Sequence, residues 1–262
     1  MDLGLKNKNT IVTASSKGLG FACANALAIE GANVTICSRN KKNVSKGVSK
    51  ISKNSTSQIK GYTCDLRSET SINHFLSTSK CEQNPTDILV INHPNPHAGS
   101  FGKVNLSMWR QDIDASLFST IALCNSLLPS MKKRKWGRII IISSIFAKEP
   151  DPGYIISSTL RAGLLGFAKG ISTELAAFNI TVNTVLAGYF STPLLNELAT
   201  KEAQKMNVDK RSIVSSWADM IPNKKIPEPE MIGDFIAFLC SAKADHITGA
   251  TLVIDGGYLK NI

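Results

Sequence analysis

No apolar run in the chain approaches the ~20 residues a membrane-spanning helix requires. The most apolar stretch, RIIIISSIFA from Arg138 to Ala147, is short and β-branched, as a buried strand is. The opening MDLGLKNKNTIVTASS lacks the charged, apolar, small-residue order of a secretory leader. A cytoplasmic protein with no membrane partner is therefore expected. The six cysteines (Cys23, Cys37, Cys64, Cys81, Cys124, Cys240) form no C-x-x-C pair, so neither a disulfide framework nor a zinc site is expected. They read as small core residues. No linker and no internal repeat is visible. The net charge is +10, yet the basic runs (NKK, MKKRKW, NKK) are short and lie at element ends. They form no stripe with interleaved aromatics, so nucleic acid is not an expected partner. A basic surface also attracts polyphosphate cofactors.

What is present is an ordinary globular balance, 43% hydrophobic and 19% charged over 262 residues, enough for a full core in one α/β domain or two small ones. Short β-branched runs (NTIVTAS, NVTICSR, QIKGYTCDL, DILVIN, GRIIIISS, NITVNTVLAG, ATLVID) alternate with longer amphipathic ones. Gly31 closes the first helix, residues 41–54 form the second, and Ser68 caps the third. The alternation predicts a mostly parallel sheet covered on both faces, with ligands at the carboxyl ends of its strands. The polar, Lys-rich stretch between Ser191 and Pro229 departs from this rhythm, and residues 193–227 read as an irregular or weakly helical insert, a substrate lid.

The first strand runs into TASSKGLG, Thr13 to Gly20, where Gly18 and Gly20 permit a tight turn and a helix N-terminus facing a pyrophosphate. The second strand ends at Cys37-Ser38-Arg39, with no acid to bond a ribose 2′-hydroxyl. Arg39 and Lys17 are cations instead, which favours NADP(H) over NAD(H) because a 2′-phosphate accepts charge-assisted bonds.

These motifs resemble the short-chain dehydrogenase/reductase family over about residues 5–258. TASSKGLG resembles its T-G-x-x-x-G-x-G loop, with Ala14 at the first glycine. Cys64-Asp65-Leu66 matches the aspartate near the adenine, Asn92 the asparagine ending the fourth strand, and Ser143-Ser144 the serines ending the fifth. AGYFST (Ala187–Thr192) resembles P-G-x-x-x-T, and ITGATLVIDGG (Ile247–Gly257) the closing signature. The resemblance implies one Rossmann-type domain over residues 1–262, a doubly wound parallel sheet of about seven strands, assembled as a homodimer or homotetramer through long helices around residues 106–134 and 154–178. The implied cofactor contacts are Thr13, Ser15, Ser16, Lys17, Gly18, Leu19, Gly20, Ser38, Arg39, Asp65, Leu66, Asn92, Arg161, Gly188 and Thr192.

The catalytic set departs from the family. Ser144 matches the serine that polarises the carbonyl, but Ser157 and Arg161 stand at Y-x-x-x-K, and Ser116 stands at the asparagine slot. The loop NHPNPHAGSF (Asn92–Phe101) replaces N-N-A-G and resembles a minority branch with a Pro-rich loop and S-x-x-x-R. A serine hydroxyl is a poor acid unaided, and an arginine donates hydrogen bonds without losing its proton. Cofactor binding is thus expected to survive, with proton transfer moved elsewhere or largely stopped. The candidate acids are Tyr154, with the positive end of a helix favouring its phenolate, His93 or His97, and Glu149 or Asp151. His93 and His97 lack a third ligand, so no metal is expected. The catalytic candidates are Ser144, Ser157, Arg161 and Tyr154, for an NADP(H)-dependent oxidoreductase interconverting an alcohol and a carbonyl in a 3-oxoacyl, sugar or other small substrate. The competing reading is a binding or regulatory protein that keeps the cofactor fold.

Overall fold

Each β-branched run becomes a strand and each amphipathic run a helix in the computed structural model, which describes residues 2–79 and 83–261. Cys81 lies outside the described residues. In chain order the elements are β1 (Asn9–Val12), α1 (Gly18–Ile29), β2 (Asn33–Ser38), α2 (Lys41–Asn54), β3 (Ile59–Thr63), α3 (Glu69–Thr78) and β4 (Ile88–Ile91). Then follow α4 (Leu106–Ile113), a π-turn (Asp114–Phe118), α5 (Ser119–Arg134), β5 (Gly137–Ser144), α6 (Ile155–Leu175) and β6 (Ile180–Ala187). The chain closes with α7 (Pro193–Met206), α8 (Lys210–Met220), α9 (Glu230–Cys240) and β7 (Thr251–Ile254). Ser68 caps α3 as its sequence suggests, accepting from the Ser71 N–H at 3.2 Å.

The seven strands form one sheet in the order β3-β2-β1-β4-β5-β6-β7, every neighbouring pair parallel. Side chains alternate between faces along a strand, and β5 shows the consequence. Ile140 and Ile142 enter a core with Leu27, Val44, Ile232 and Ile236 of α1, α2 and α9. Ile139 and Ile141 enter the opposite core with Phe75, Leu123, Leu127 and Leu164 of α3, α5 and α6. Truncating any of these buried aliphatics to alanine costs about 2–5 kcal/mol. α1 and α9 approach closely because Gly233 has no side chain, since a Cβ there would sit 2.7 Å from the Ala22 carbonyl oxygen.

The insert differs from the expectation. Residues 193–220 are mostly two helices, α7 and α8, packed through Ala199, Ala203 and Ile213 with Val214 and Trp217. Lys201 and Lys205 lie on the exposed face of α7, so composition alone hid the amphipathic pattern. Thr192 caps α7, Pro193 occupies its first turn, and Asp209 caps α8.

Candidate active site

The strand order turns back between β1 and β4, the switch point beside which open α/β sheets place their ligands. Thr13 to Gly20 borders it. Thr13 is fully buried, with Oγ1 donating to the Asn92 carbonyl (2.6 Å) and accepting from the Asn92 N–H (3.0 Å). Asn92 Nδ2 donates to the Ala14 carbonyl at 3.1 Å. Ser15, also fully buried, donates to the Val12 carbonyl (2.5 Å) and accepts from the Cys37 N–H (3.3 Å). These bonds tie the loops after β1 and β4 and the end of β2 into one frame. Thr13, Ser15 and Asn92 thus spend side-chain bonds on the shape of the loop, while Lys17 at its edge is exposed.

Ala14 stands at φ +45°, the left-handed region that glycine enters freely and that costs an L-residue about 1–2 kcal/mol. Gly18 follows at φ +62°. Lys17 precedes α1 in an extended conformation and caps it with no side-chain bond, so the first-turn N–H groups lack a side-chain cap and suit an anion. At Gly20 a Cβ would lie 2.7 Å from the Ala14 oxygen and 2.8 Å from Asn92 Nδ2. Only a glycine lets the helix start this close to the loop, which is the cradle a dinucleotide phosphate needs.

At the far side of the loop, Ser38 Oγ is buried without a hydrogen-bond partner among the described residues, and Arg39 is exposed. Leu66 is buried and Asp65 half-buried. The Asp65 carboxylate is gripped by Arg67 through Nε (3.0 Å), Nη2 (2.6 Å) and the backbone N–H (3.1 Å). That grip, aided by the charge of Arg39, holds Asp65 below the ordinary carboxylate range. Sequence reasoning missed Arg67, although an arginine two residues beyond the matched aspartate was a visible signal. Gly188 leaves β6 against Asp255, whose Cα would be 2.9 Å from a Cβ there. Thr192 side-chain atoms would lie 3.9 Å from a Cβ at Gly18, so the chain after β6 passes beside the Gly-rich loop.

The proton-handling candidates converge around the ends of β4 and β5. Ser144 is half-buried at the end of β5, its Oγ accepting from the Phe146 N–H at 3.3 Å. Ser157 and Arg161 lie on α6, each 7% exposed. Arg161 Nη1 donates to the Ile142 carbonyl (3.1 Å) and to His93 Nδ1 (3.0 Å). Burial alone pulls its pKa down to about 10, so the guanidinium stays charged at neutral pH. His93 Nε2 meets Thr120 Oγ1 at 2.9 Å, and that hydroxyl donates to the Ser116 carbonyl at 2.7 Å. Ser116 sits in the π-turn with its own Oγ buried and unpartnered among the described residues. Burial first, and the Arg161 charge second, hold His93 well below its ordinary pKa. It is a neutral ring with both nitrogens engaged, which removes it as the acid.

His97 is tied to Asp112, through Nδ1 (3.0 Å) and its backbone N–H (2.7 Å), and so anchors the Pro-rich loop. Gly99 bonds that loop to the start of α6 through the Gly153 carbonyl (2.7 Å). Glu149 Oε2 accepts from the Lys260 N–H (3.4 Å), and Asp151 Oδ1 from the Gly153 N–H (2.7 Å). Tyr154 precedes α6 and stacks on Phe146 with ring centroids 5.1 Å apart. The expectation of a favoured phenolate is overturned: burial, followed by the carboxylates of Asp151 and Glu202, raises the Tyr154 pKa. Desolvation and two nearby acids outweigh the helix end. The phenol therefore stays protonated. Tyr189 meets Tyr258 and Trp217 at centroid distances of 5.6 and 6.2 Å, an aromatic cluster that sequence reasoning did not identify. The five described cysteines are free and buried. Among the described residues no group of three or more His, Cys, Asp or Glu side chains is arranged to hold a metal, and no helix is long and apolar enough to cross a membrane.

The arrangement has relatives throughout its length. Residues 13–259 match the family described as enoyl-(acyl carrier protein) reductase. Dehydrogenase/reductase SDR family member 4 from Homo sapiens is 32% identical over 255 residues, 97% of this chain and 88% of that protein. The 3-oxoacyl-(acyl-carrier-protein) reductase FabG of Aquifex aeolicus (strain VF5) is 30% identical over 257 residues, 98% of this chain and 99% of that one. L-Sorbose reductase from Gluconobacter frateurii, solved with NADPH and L-sorbose, superposes with a TM-score of 0.96 over 100% of both chains at 27% identity. With a family match across residues 13–259 and relatives 30–32% identical over nearly the whole chain, the chain belongs to the short-chain dehydrogenase/reductase (SDR) family of oxidoreductases.

Proposed function

We propose that this oxidoreductase uses NADP(H) in preference to NAD(H) to interconvert an alcohol and a small carbonyl compound at the crevice between the loops after β1, β4 and β5. The observation that carries the reading is the pairing of an open phosphate cradle, glycine at position 20 with an uncapped α1, with a buried charged Arg161 that lies one helical turn beyond Ser157 on α6 and is bonded to the Ile142 carbonyl near the end of β5. The cradle residues Ser16, Lys17, Gly18, Leu19 and Gly20 would hold the pyrophosphate, with Thr13, Ser15 and Asn92 bracing them. Ser38, Arg39 and Lys17 would meet the 2′-phosphate, joined by Arg67. Asp65 and Leu66 would border the adenine, and Gly188 and Thr192 would close the site. The cofactor, when bound, supplies or accepts the hydride.

The remaining work falls to the chain. Ser144 donates a hydrogen bond to the substrate oxygen, polarising the carbonyl. Arg161 anchors the ribose and stabilises negative charge on that oxygen, without giving up a proton. Ser157, whose hydroxyl makes no side-chain bond among the described residues, holds the oxygen or an ordered water. Tyr154 remains the protonated phenol that delivers a proton in reduction. The assembly is a homodimer or homotetramer through α4, α5 and α6, where Phe118 of the π-turn between α4 and α5 is 56% exposed and open space lies over Gly163, Gly166 and Gly170.

Two relatives' names keep acyl thioesters and ketoses among the substrate classes. The test is a screen of 3-oxoacyl thioesters, ketoses and small ketones, followed by NADPH and NADH absorbance at 340 nm. Turnover with NADPH that falls in Ser144→Ala and Tyr154→Phe supports the reading. Tight NADPH binding with no turnover across the screen would instead favour the binding or regulatory protein.

A further inference from the structure

We infer that His93, braced by Thr120, is a positioning residue for Arg161, supplying the acceptor that fixes the guanidinium at the carboxyl ends of β4 and β5. The inference rests on the reading of Arg161 as a cofactor anchor.

Arg161 is a buried cation with no ion-pair partner among the described residues, and its Nε is buried without a hydrogen bond there. A charge taken out of water without a counter-ion is held only by the dipoles it finds, so each acceptor decides where it sits. Nη1 has two acceptors, the Ile142 carbonyl at 3.1 Å and His93 Nδ1 at 3.0 Å. The first is fixed by the strand. The second is the only side chain in the pair, and it comes from the Pro-rich loop, 68 residues away in sequence.

Donor inventory then determines every proton in this chain of bonds. Arginine has donors and no acceptor. His93 Nδ1 must therefore present its lone pair, which places the ring proton on Nε2. That N–H donates to Thr120 Oγ1 at 2.9 Å, and the Thr120 O–H donates to the Ser116 carbonyl at 2.7 Å. The direction runs from Arg161 through His93 and Thr120 and ends on a backbone carbonyl in the π-turn. A carbonyl end passes no proton onward, so the chain is a scaffold rather than a relay. It also joins the departures from the family pattern. Arginine in the lysine slot carries a planar fork that needs a second fixed acceptor. Histidine in place of the second asparagine of N-N-A-G supplies it, and Thr120 Oγ1 accepts from the Nε2–H of the resulting tautomer.

The test measures NADPH affinity by fluorescence or calorimetry, together with ¹⁵N resonances of the His93 ring in the ligand-free protein. Arg161→Ala is expected to weaken NADPH about tenfold or more, since it loses charge-assisted donors. His93→Ala should reproduce most of that loss. The double variant should be no worse than Arg161→Ala alone, because both remove one function. His93→Asn should recover affinity, as Asn Oδ1 takes the place of Nδ1, and Thr120→Ser should keep it while Thr120→Val loses part. Should His93→Ala fail to fold, Thr120→Val against Thr120→Ser carries the same comparison. The resonances should report a neutral Nε2–H ring whose Nδ1 signal moves in Arg161→Ala. If Arg161→Ala weakens NADPH but His93→Ala does not, or the two losses multiply, the positioning role is overturned while the anchor reading stands. If Arg161→Ala leaves NADPH affinity unchanged, the anchor reading falls. The His93 resonance then decides the positioning role, and an Nδ1–H tautomer or a signal insensitive to Arg161 overturns it.

Discussion

A single methyl group at Gly20 should disable the loop after β1. The added Cβ of Gly20→Ala would lie 2.7 Å from the Ala14 carbonyl oxygen, 2.8 Å from Asn92 Nδ2 and 3.0 Å from Ser15 Cα. Comfortable contacts for such atoms begin near ~3.3–3.5 Å, so each is short by about half an ångström. Two of the three atoms are backbone and cannot rotate away. The third, Asn92 Nδ2, donates to the same Ala14 carbonyl at 3.1 Å, and the Asn92 backbone is locked to Thr13 by two bonds. Relief therefore moves the loop itself. Overpacking of this kind costs about 1–3 kcal/mol and a lost interior hydrogen bond about 1 more, for a destabilisation of roughly 2–4 kcal/mol. If the frame yields instead of unfolding, the uncapped N–H groups of α1 leave their places. At about 1.4 kcal/mol per factor of ten, NADPH affinity should then fall by about 10–100-fold or more. Urea denaturation of the ligand-free protein and an NADPH titration separate the two costs. Gly102→Ala is the control, because nothing lies within 4 Å of a Cβ there. Wild-type stability together with wild-type NADPH affinity in Gly20→Ala would refute the cradle.

Three further outcomes are expected. Arg39→Ala should reduce NADPH affinity by about 3–30-fold and leave NADH nearly unchanged, since only the former offers a 2′-phosphate to the exposed cation; calorimetry with both cofactors decides, and equal losses would count against the assignment. His93 is buried with its pKa depressed, so between that value and ~6.5 the unfolded chain binds one more proton than the folded one, and stability is lost as pH falls, at up to about 1.4 kcal/mol per pH unit. Denaturation midpoints from pH 7.5 to 5 should flatten in His93→Asn, and an unchanged slope would place the titrating group elsewhere. Residues 193–227, whose helices share a small core of their own, should be the first internal segment cut in limited proteolysis and should gain protection from cofactor with substrate; earlier cleavage at another site would remove the lid reading.

Secondary structure was legible because its signals are local. The alternation of β-branched and amphipathic runs needs only a residue's neighbours, so residues 41–54 and the cap at Ser68 emerge in the structure where the sequence suggests them. Parallel order followed from the alternation, since helices between strands leave few other topologies. The insert was misread because the buried positions of its two helices, Ala199, Ala203 and Ile213, are small or widely spaced.

The site was legible as a set of residues and not as a set of partners. From spacing alone, Ser144, Ser157 and Arg161 could be matched to family slots, and the loss of the tyrosine and lysine could be read directly. What each side chain does with its protons was decided in three dimensions. His93 looked like an acid until the fold set it against Arg161, 68 residues away, and burial made it neutral. Tyr154 looked like a phenolate until burial, followed by the charges of Asp151 and Glu202, raised its pKa. A residue type determines what it can donate or accept. Its charge state depends on solvent exclusion and on groups distant in the chain, and only the packed structure brings those together.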